Sequence, residues 1–119
     1  EDVGKAVNPR IVEGQIEGGV IQGFGYSVLE NFIENGGQVQ TPDLTTYLIP
    51  TVQDIPDQID SLVLETADPR GPWGARGVGE VPVMAVAPAI VDAVHSATGV
   101  WFDCFPLTPE RVLKGIRGG

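Results

Sequence analysis

The chain carries a carboxylate in an unusual setting, Gly77-Val78-Gly79-Glu80, with Val81-Pro82 directly after it. Two glycines beside one glutamate let the backbone approach a bulky ligand and hold the carboxylate at a fixed angle. A free carboxylate is ionised at neutral pH, and in a dry pocket it can take a proton from an activated hydroxyl. The plainer reading is that Glu80 caps the helix expected to start at Pro82, or faces its positive end. Gln15, beside Gly14, is the second candidate. Its amide offers a donor and an acceptor to one ligand, although glutamine near a helix start is commonly only solvated. His95 and Cys104 are the single histidine and the single cysteine. One cysteine closes no internal disulfide and holds no iron–sulfur cluster, and the pair makes a zinc site built from this chain improbable. If a metal or redox centre is involved, most of its ligands must lie outside this chain.

These residues need elements to position them. Asn8-Pro9 starts a helix, with Asn8 as N-cap and Pro9 in the first turn. Ile16, Val20, Phe24, Val28 and Phe32 step by four along one face, and Asn35-Gly36-Gly37 supplies the stop. Five glycines from Gly14 to Gly25 lie inside this helix, each costing about 1 kcal/mol against alanine. Close packing on another element favours them; close approach of a cofactor is the alternative. Asp2-Val3-Gly4 reads as the end of a strand whose start is missing, which favours a cut chain. Strands are expected at Gln38 to Gln40 and Leu44 to Ile49, around a Thr41-Pro42-Asp43 turn, and again at Ile59 to Leu64.

From Asp68 to Glu80, prolines and glycines exclude a regular element, while Trp73 and Val78 imply that the loop faces something apolar. A second helix should run from about Pro82 to Ser96, apolar around most of its circumference and therefore buried, with a kink at Pro88 and a stop at Thr98-Gly99. His95 near its end reads as a cap or dipole partner. Val100 to Phe105 reads as a strand, and Thr108-Pro109-Glu110 opens a final short helix. Helices and strands interleave without a dinucleotide-type repeat, so the fold class is α+β. The glycines lack the strand–loop–helix context of a nucleotide-binding fingerprint.

The 119 residues suit one small domain, and the hydrophobic fraction of 42% suits a core. A net charge of −9 excludes nucleic-acid backbones and anionic lipid surfaces as partners. No apolar run is expected to span a membrane, and the opening Glu1-Asp2 argues against a signal peptide, so a cytoplasmic location is the expectation.

The stretch Gly74-Ala75-Arg76-Gly77-Val78-Gly79-Glu80 resembles the signature loop of the molybdenum hydroxylases, the family of xanthine dehydrogenase and aldehyde oxidoreductase. Asp2 to Pro9, Glu13 to Gly19, Gln22 to Gly25, Tyr47 to Pro50, Asp54 to Pro56 and Pro106 to Leu113 resemble it in the same order, so the likeness covers essentially the whole chain. The resemblance implies that residues 1–119 are the C-terminal segment of a molybdopterin-binding domain, incomplete on its N-terminal side. It gives Glu80 the role of general base, taking a proton from a hydroxyl on molybdenum while water supplies the product oxygen. It gives Gln15 a contact to the pterin, and Val78 and Gly79 a place beside the metal centre. No residue of this chain is expected to ligate the metal, which the cofactor holds through its own sulfurs. The implied cofactor is a molybdenum–pterin, with the cytosine dinucleotide form open. Iron–sulfur clusters and FAD are expected on other domains or subunits. The implied partners are the rest of the molybdenum subunit and a small-molecule substrate: a purine, another N-heterocycle or an aldehyde.

Three features depart from the family pattern. Arg76 stands where lysine is more frequent, and it receives no catalytic role. Cys104 takes a place usual for a leucine-like residue and reads as a small core side chain. The family's molybdenum subunit is several times longer, so this piece alone is expected to be inactive. A non-catalytic assembly module with the same fold is the rival reading; a pure scaffold would have no use for both Gln15 and Glu80.

Overall fold

Asn8 and Pro9 begin the longest element as their types dictate. In the computed structural model, which describes residues 1–118, helix α1 runs Pro9–Val28, and the Asn8 side chain accepts from the Ile11 N–H at 3.3 Å. Its buried residues are Val12, Ile16, Gly19, Gly23 and Ser27, at steps of three or four along one face, together with Gly25. The expected stripe of Val20, Phe24 and Val28 is only half-buried, and Phe32 lies outside the helix, exposed. The helix ends at Val28, not at the Asn35-Gly36-Gly37 stop, because the N–H groups of Leu29 and Glu30 both turn back onto the Gly25 carbonyl. Pro50 from the following loop packs there; a Cβ on Gly25 would lie 2.7 Å from its Cδ.

The expected strands form only in part. Glu34–Asn35 (β1) and Gln38–Val39 (β2) make a short antiparallel hairpin across Gly36-Gly37, both at positive φ. Leu44 to Ile49 is not a strand. Asp43 captures the segment locally: its carbonyl accepts from Thr46 and Tyr47, and its carboxylate accepts from Thr45. Ile59 to Leu64 forms only a parallel bridge between Leu64 and Asp2, which seats the first residues of the chain. Val100 to Phe105 is irregular, with a bend at Cys104 and Phe105, and pairs with no strand among the described residues. A strand needs a neighbour to complete its hydrogen bonds, and short β-prone runs do not bring one with them.

The second apolar segment also departs from expectation. It begins as a 3-10 helix, Val81–Ala85, and continues as α2, Val86–Thr98. Pro88 falls in the first turn of α2, so the winding changes upstream at Ala85 and no kink forms at Pro88 itself. Gly99, at φ 74, closes α2 in the left-handed conformation, and its N–H bonds to the His95 carbonyl. His95 sits in the last turn, as expected, and stacks on Trp101 with ring centroids 3.8 Å apart. None of the α2 residues is buried, which corrects the expectation of a buried helix. The 18 residues Val81–Thr98 reach a mean hydropathy of 1.4, long and apolar enough by length and composition to cross a membrane, contrary to the sequence expectation. Thr108 caps the final helix α3, Pro109–Ile116, by accepting from the Arg111 N–H. Cys104 is exposed and not a core residue.

The core is small. Val3, Val12 and Ile16 form it, with Ala6, Val63 and Val78 packed around. The accessible surface is 8404 Å², whereas a self-contained protein of 12.6 kDa exposes about 6,200 Å². The radius of gyration is 17.6 Å, against about 13.5 Å for a compact domain of this length. The apolar faces of α2 and the exposed Trp73 and Trp101 are therefore surfaces that this chain does not itself cover.

Candidate functional site

The loop that carries Glu80 is tied down at its base. Arg76 donates its backbone N–H to the Val3 carbonyl at 2.8 Å, and its guanidinium reaches Asp2 at 3.1 Å and Asp68 at 3.6 Å. Asp2 also accepts from the N–H groups of Gly4 and Thr66. Those two bonds, with Arg76 beside it, hold the Asp2 carboxyl below the usual carboxylate range. Gly4 sits at φ +69, and a side chain there would collide with the Gly74 carbonyl and the Arg76 side chain. Arg76 thus ties the loop to Val3, Asp2 and Asp68. Trp73 adopts a left-handed φ of 53 and is 88% exposed. No apolar residue of this chain covers Trp73 among the described residues.

From that anchor the loop runs alongside α1. Val78 packs on the Val3–Val12–Ile16 core, which pins the residue two before Glu80. Beyond it, two glycines of α1 take the next segment in close contact. A Cβ on Gly19 would lie 2.9 Å from Cβ of Pro82, and one on Gly23 would lie 2.6 Å from Cβ of Val86. Normal carbon–carbon contact is about 3.5–4.0 Å, so neither position has room for a methyl group. For Gly19 and Gly23 the packing explanation therefore holds. Gly14 and Gly18 are different: a Cβ at either meets nothing within 4 Å among the described residues. The same is true of Gly77 and Gly79.

Glu80 occupies the N-cap position of the 3-10 helix, yet its side chain makes no capping hydrogen bond. Instead its Oε1 accepts from Nε2 of Gln22 at 3.5 Å, and the residue is exposed. Gln22 lies seven residues after Gln15, about 10.5 Å further along α1 and on nearly the same side of the helix. The two amides thus edge the buried stripe on the side where Gln22 meets Glu80. The structure brings Val78, Gly79 and Glu80 onto the flank of α1; Gln15 shares that edge without a side-chain hydrogen bond among the described residues. Gln22 was not singled out from the sequence as a site residue. Its signals were a place in the Gln22 to Gly25 stretch that resembles the family and the seven-residue spacing from Gln15. Among the described residues no three His, Cys, Asp or Glu side chains converge as a metal site. The site offers amide groups and backbone N–H donors, with the Glu80 carboxylate as an acceptor.

Residues 1–56 match a sequence family described as a molybdopterin cofactor-binding domain. The chain is 40% identical over 115 residues to the xanthine dehydrogenase molybdenum-binding subunit of Escherichia coli O157:H7, covering 95% of this chain and 15% of that subunit. It is 38% identical over 116 residues to the aldehyde oxidoreductase of Megalodesulfovibrio gigas, covering 98% of this chain and 12% of the relative. The crystal structure of quinoline 2-oxidoreductase from Pseudomonas putida 86 superposes with a TM-score of 0.89 at 42% identity, over 98% of this chain and 15% of that one. The chain thus spans about 15% or less of the length of these relatives. The α+β reading holds in this comparison, with the Glu34–Val39 hairpin, the Asp2–Leu64 bridge and three α-helices as its elements. Sequence identity and fold agree along nearly the whole chain, and the matched cofactor-binding family over residues 1–56, that this chain is similar to one part of the xanthine dehydrogenase molybdenum-binding subunit, of aldehyde oxidoreductase and of quinoline 2-oxidoreductase.

Proposed function

We propose that this chain is the C-terminal segment of a molybdopterin-binding domain and forms one wall of the catalytic site of a molybdenum hydroxylase, with Glu80 as general base. The observation that carries the reading is that Glu80 neither caps its helix nor pairs with a cation among the described residues, and meets only the neutral amide of Gln22. Glu80 stands at a cap position without capping, exposed, beside a glycine with open space over it. A cap or a salt-bridge residue would have used its carboxylate locally.

The residues fit the implied cofactor. Open glycines at Gly77 and Gly79 leave the backbone free for close approach, and Gln15 and Gln22 offer amide groups along one edge. Such donors suit the oxygens and nitrogens of a pterin; a bare ion would need a cluster of anionic or imidazole ligands. Gln15 and the backbone of Val78 and Gly79 would hold the group. When bound, the molybdenum–pterin supplies Lewis acidity and takes up the electrons removed from the substrate carbon. Glu80 accepts the proton of the water-derived nucleophile, and its neutral neighbour Gln22 leaves the carboxylate charge intact. The packed base of the loop, from Arg76 to Val78, fixes the direction in which Glu80 projects.

The substrate class is a purine, another N-heterocycle or an aldehyde, in keeping with relatives whose names specify xanthine, quinoline and aldehyde. The rest of the molybdenum subunit would cover the apolar faces of α2, and the Val81–Thr98 segment is on this reading a core helix and not a membrane span. Iron–sulfur and flavin centres sit on further domains or subunits, the pterin nucleotide is the plain or the cytosine dinucleotide form, and the enzyme works in the cytoplasm. The uncovered face of α2 also favours a second reading, an assembly module without catalysis.

The Glu80→Gln variant of the full-length parent separates the two. Glutamine keeps the shape and removes the base, so turnover should fall by about 10²–10⁴-fold with molybdenum content and assembly unchanged. Full activity in that variant, or a well-folded parent that binds no molybdenum where the cofactor is made, would refute the catalytic reading.

A further inference from the structure

The geometry points to Gln22 as a positioning residue for Glu80, holding the carboxylate in its working direction through a neutral amide; this rests on the reading of Glu80 as the base. Three observations meet here. Gln22 Nε2 donates to Glu80 Oε1 at 3.5 Å, the side-chain bond that Glu80 makes among the described residues. Glu80 makes no bond to its own helix, so its direction is otherwise unfixed.

The third observation concerns the backbones that carry the pair. Gly19 seats Pro82 and Gly23 seats Val86, in contacts too close for any larger residue. These two clamps bracket Gln22 on α1 and follow Glu80 directly on the other segment. The span between the two Cα atoms is therefore set by packing, and the two side chains have only to bridge it.

The chemistry of the partner matters as much as its reach. A lysine at this place would pair with the carboxylate and neutralise the field a base needs. A glutamate would repel it. An amide donates one N–H, orients the oxygen and leaves the charge and the second oxygen free for the reacting proton. The bond is at the outer limit of hydrogen-bond length, so a shorter donor would not span the gap.

The test uses the full parent enzyme with its cofactor, with Gln22→Met and Gln22→Asn. Methionine matches the length of glutamine and suits a helix but donates nothing; asparagine donates but falls short by one methylene. Both should lower kcat by about two- to three-fold, the lower end of what one hydrogen bond is worth at this length, with KM and molybdenum content unchanged. A second readout needs no cofactor. Carbodiimide–amine labelling of Glu80 in the cofactor-free parent, followed by mass spectrometry, should run several-fold faster in both variants, because the freed carboxylate samples more orientations. Wild-type kcat together with wild-type labelling overturns the proposal. A loss confined to KM or metal content, with labelling unchanged, overturns it in favour of a packing role. Running Glu80→Gln in parallel keeps the two readings apart: an active Glu80→Gln enzyme refutes the base, while the labelling difference still decides whether Gln22 orients the side chain.

Discussion

Replacing Gly23 with alanine tests whether the glycine clamp positions the site. A Cβ at Gly23 would lie 2.6 Å from Cβ of Val86 and 3.0 and 3.1 Å from its two methyl carbons. Normal contact needs about 3.5–4.0 Å, so α1 and the start of α2 must separate by about 1 Å. Alanine brings a gain in helix propensity of about 1 kcal/mol, while overpacking costs about 1–3 kcal/mol, so the net loss of stability is small, at most about 2 kcal/mol. The functional effect should be larger than the stability effect. Val86 is six residues from Glu80, and a 1 Å misplacement of a catalytic group can cost about 10²-fold in rate. The expected result is a parent enzyme that folds, loads molybdenum and melts only a few degrees lower, yet turns over one to two orders of magnitude more slowly. Val86→Ala in the same protein should rescue it only in part, since it removes the methyls and leaves the Cβ at 2.6 Å; Val86→Gly should rescue it further. Steady-state kinetics, metal analysis and thermal denaturation together check this. A Gly23→Ala enzyme with wild-type kcat would refute the argument that this contact sets the position of Glu80.

Other outcomes follow from the same structure. The chain expressed alone should lack a cooperative unfolding transition, show weak near-UV circular dichroism, bind a hydrophobic dye and catalyse nothing, because it leaves about a third more surface exposed than a self-contained domain of its mass; a sharp two-state melt would contradict this. Asp2→Asn should matter at high pH and not at low pH. The folded-state pKa of Asp2 is depressed, so its contribution is present above the unfolded value of about 3.9 and is lost as pH falls through the folded value. The melting-temperature gap between wild type and Asp2→Asn should therefore be full above about pH 5 and close as the pH falls below about 4. A gap that stays constant across that range would remove Asp2 as an acid-sensitive anchor of the loop.

Local rules determined much of this protein. Asn8 and Thr108 as caps, Pro9 and Pro109 in first turns and Gly99 as a stop are visible in residue types alone, because each satisfies a backbone group within a few positions. The likeness of the Gly74–Glu80 loop to the molybdenum hydroxylases was legible for the same reason, as an ordered string of residues. What failed were statements that depend on partners distant in sequence. Leu44 to Ile49 and Val100 to Phe105 have strand-like composition, but among the described residues no strand pairs with either, and Asp43 offers the first of them a local turn. The buried second helix failed in an instructive way: its apolar circumference was read correctly, but composition does not say whether another element lies against it, and none of its residues is buried. Cys104 was misplaced for a similar reason, since residue type reports what a side chain tolerates and not what stands next to it. Only the tertiary structure sorted the glycines into two that clamp, Gly19 and Gly23, and two that face open space, Gly14 and Gly18. Only it joined Gln22 to Glu80 across 58 residues, because a side-chain contact of that separation is decided by how two segments pack and leaves no mark on either one.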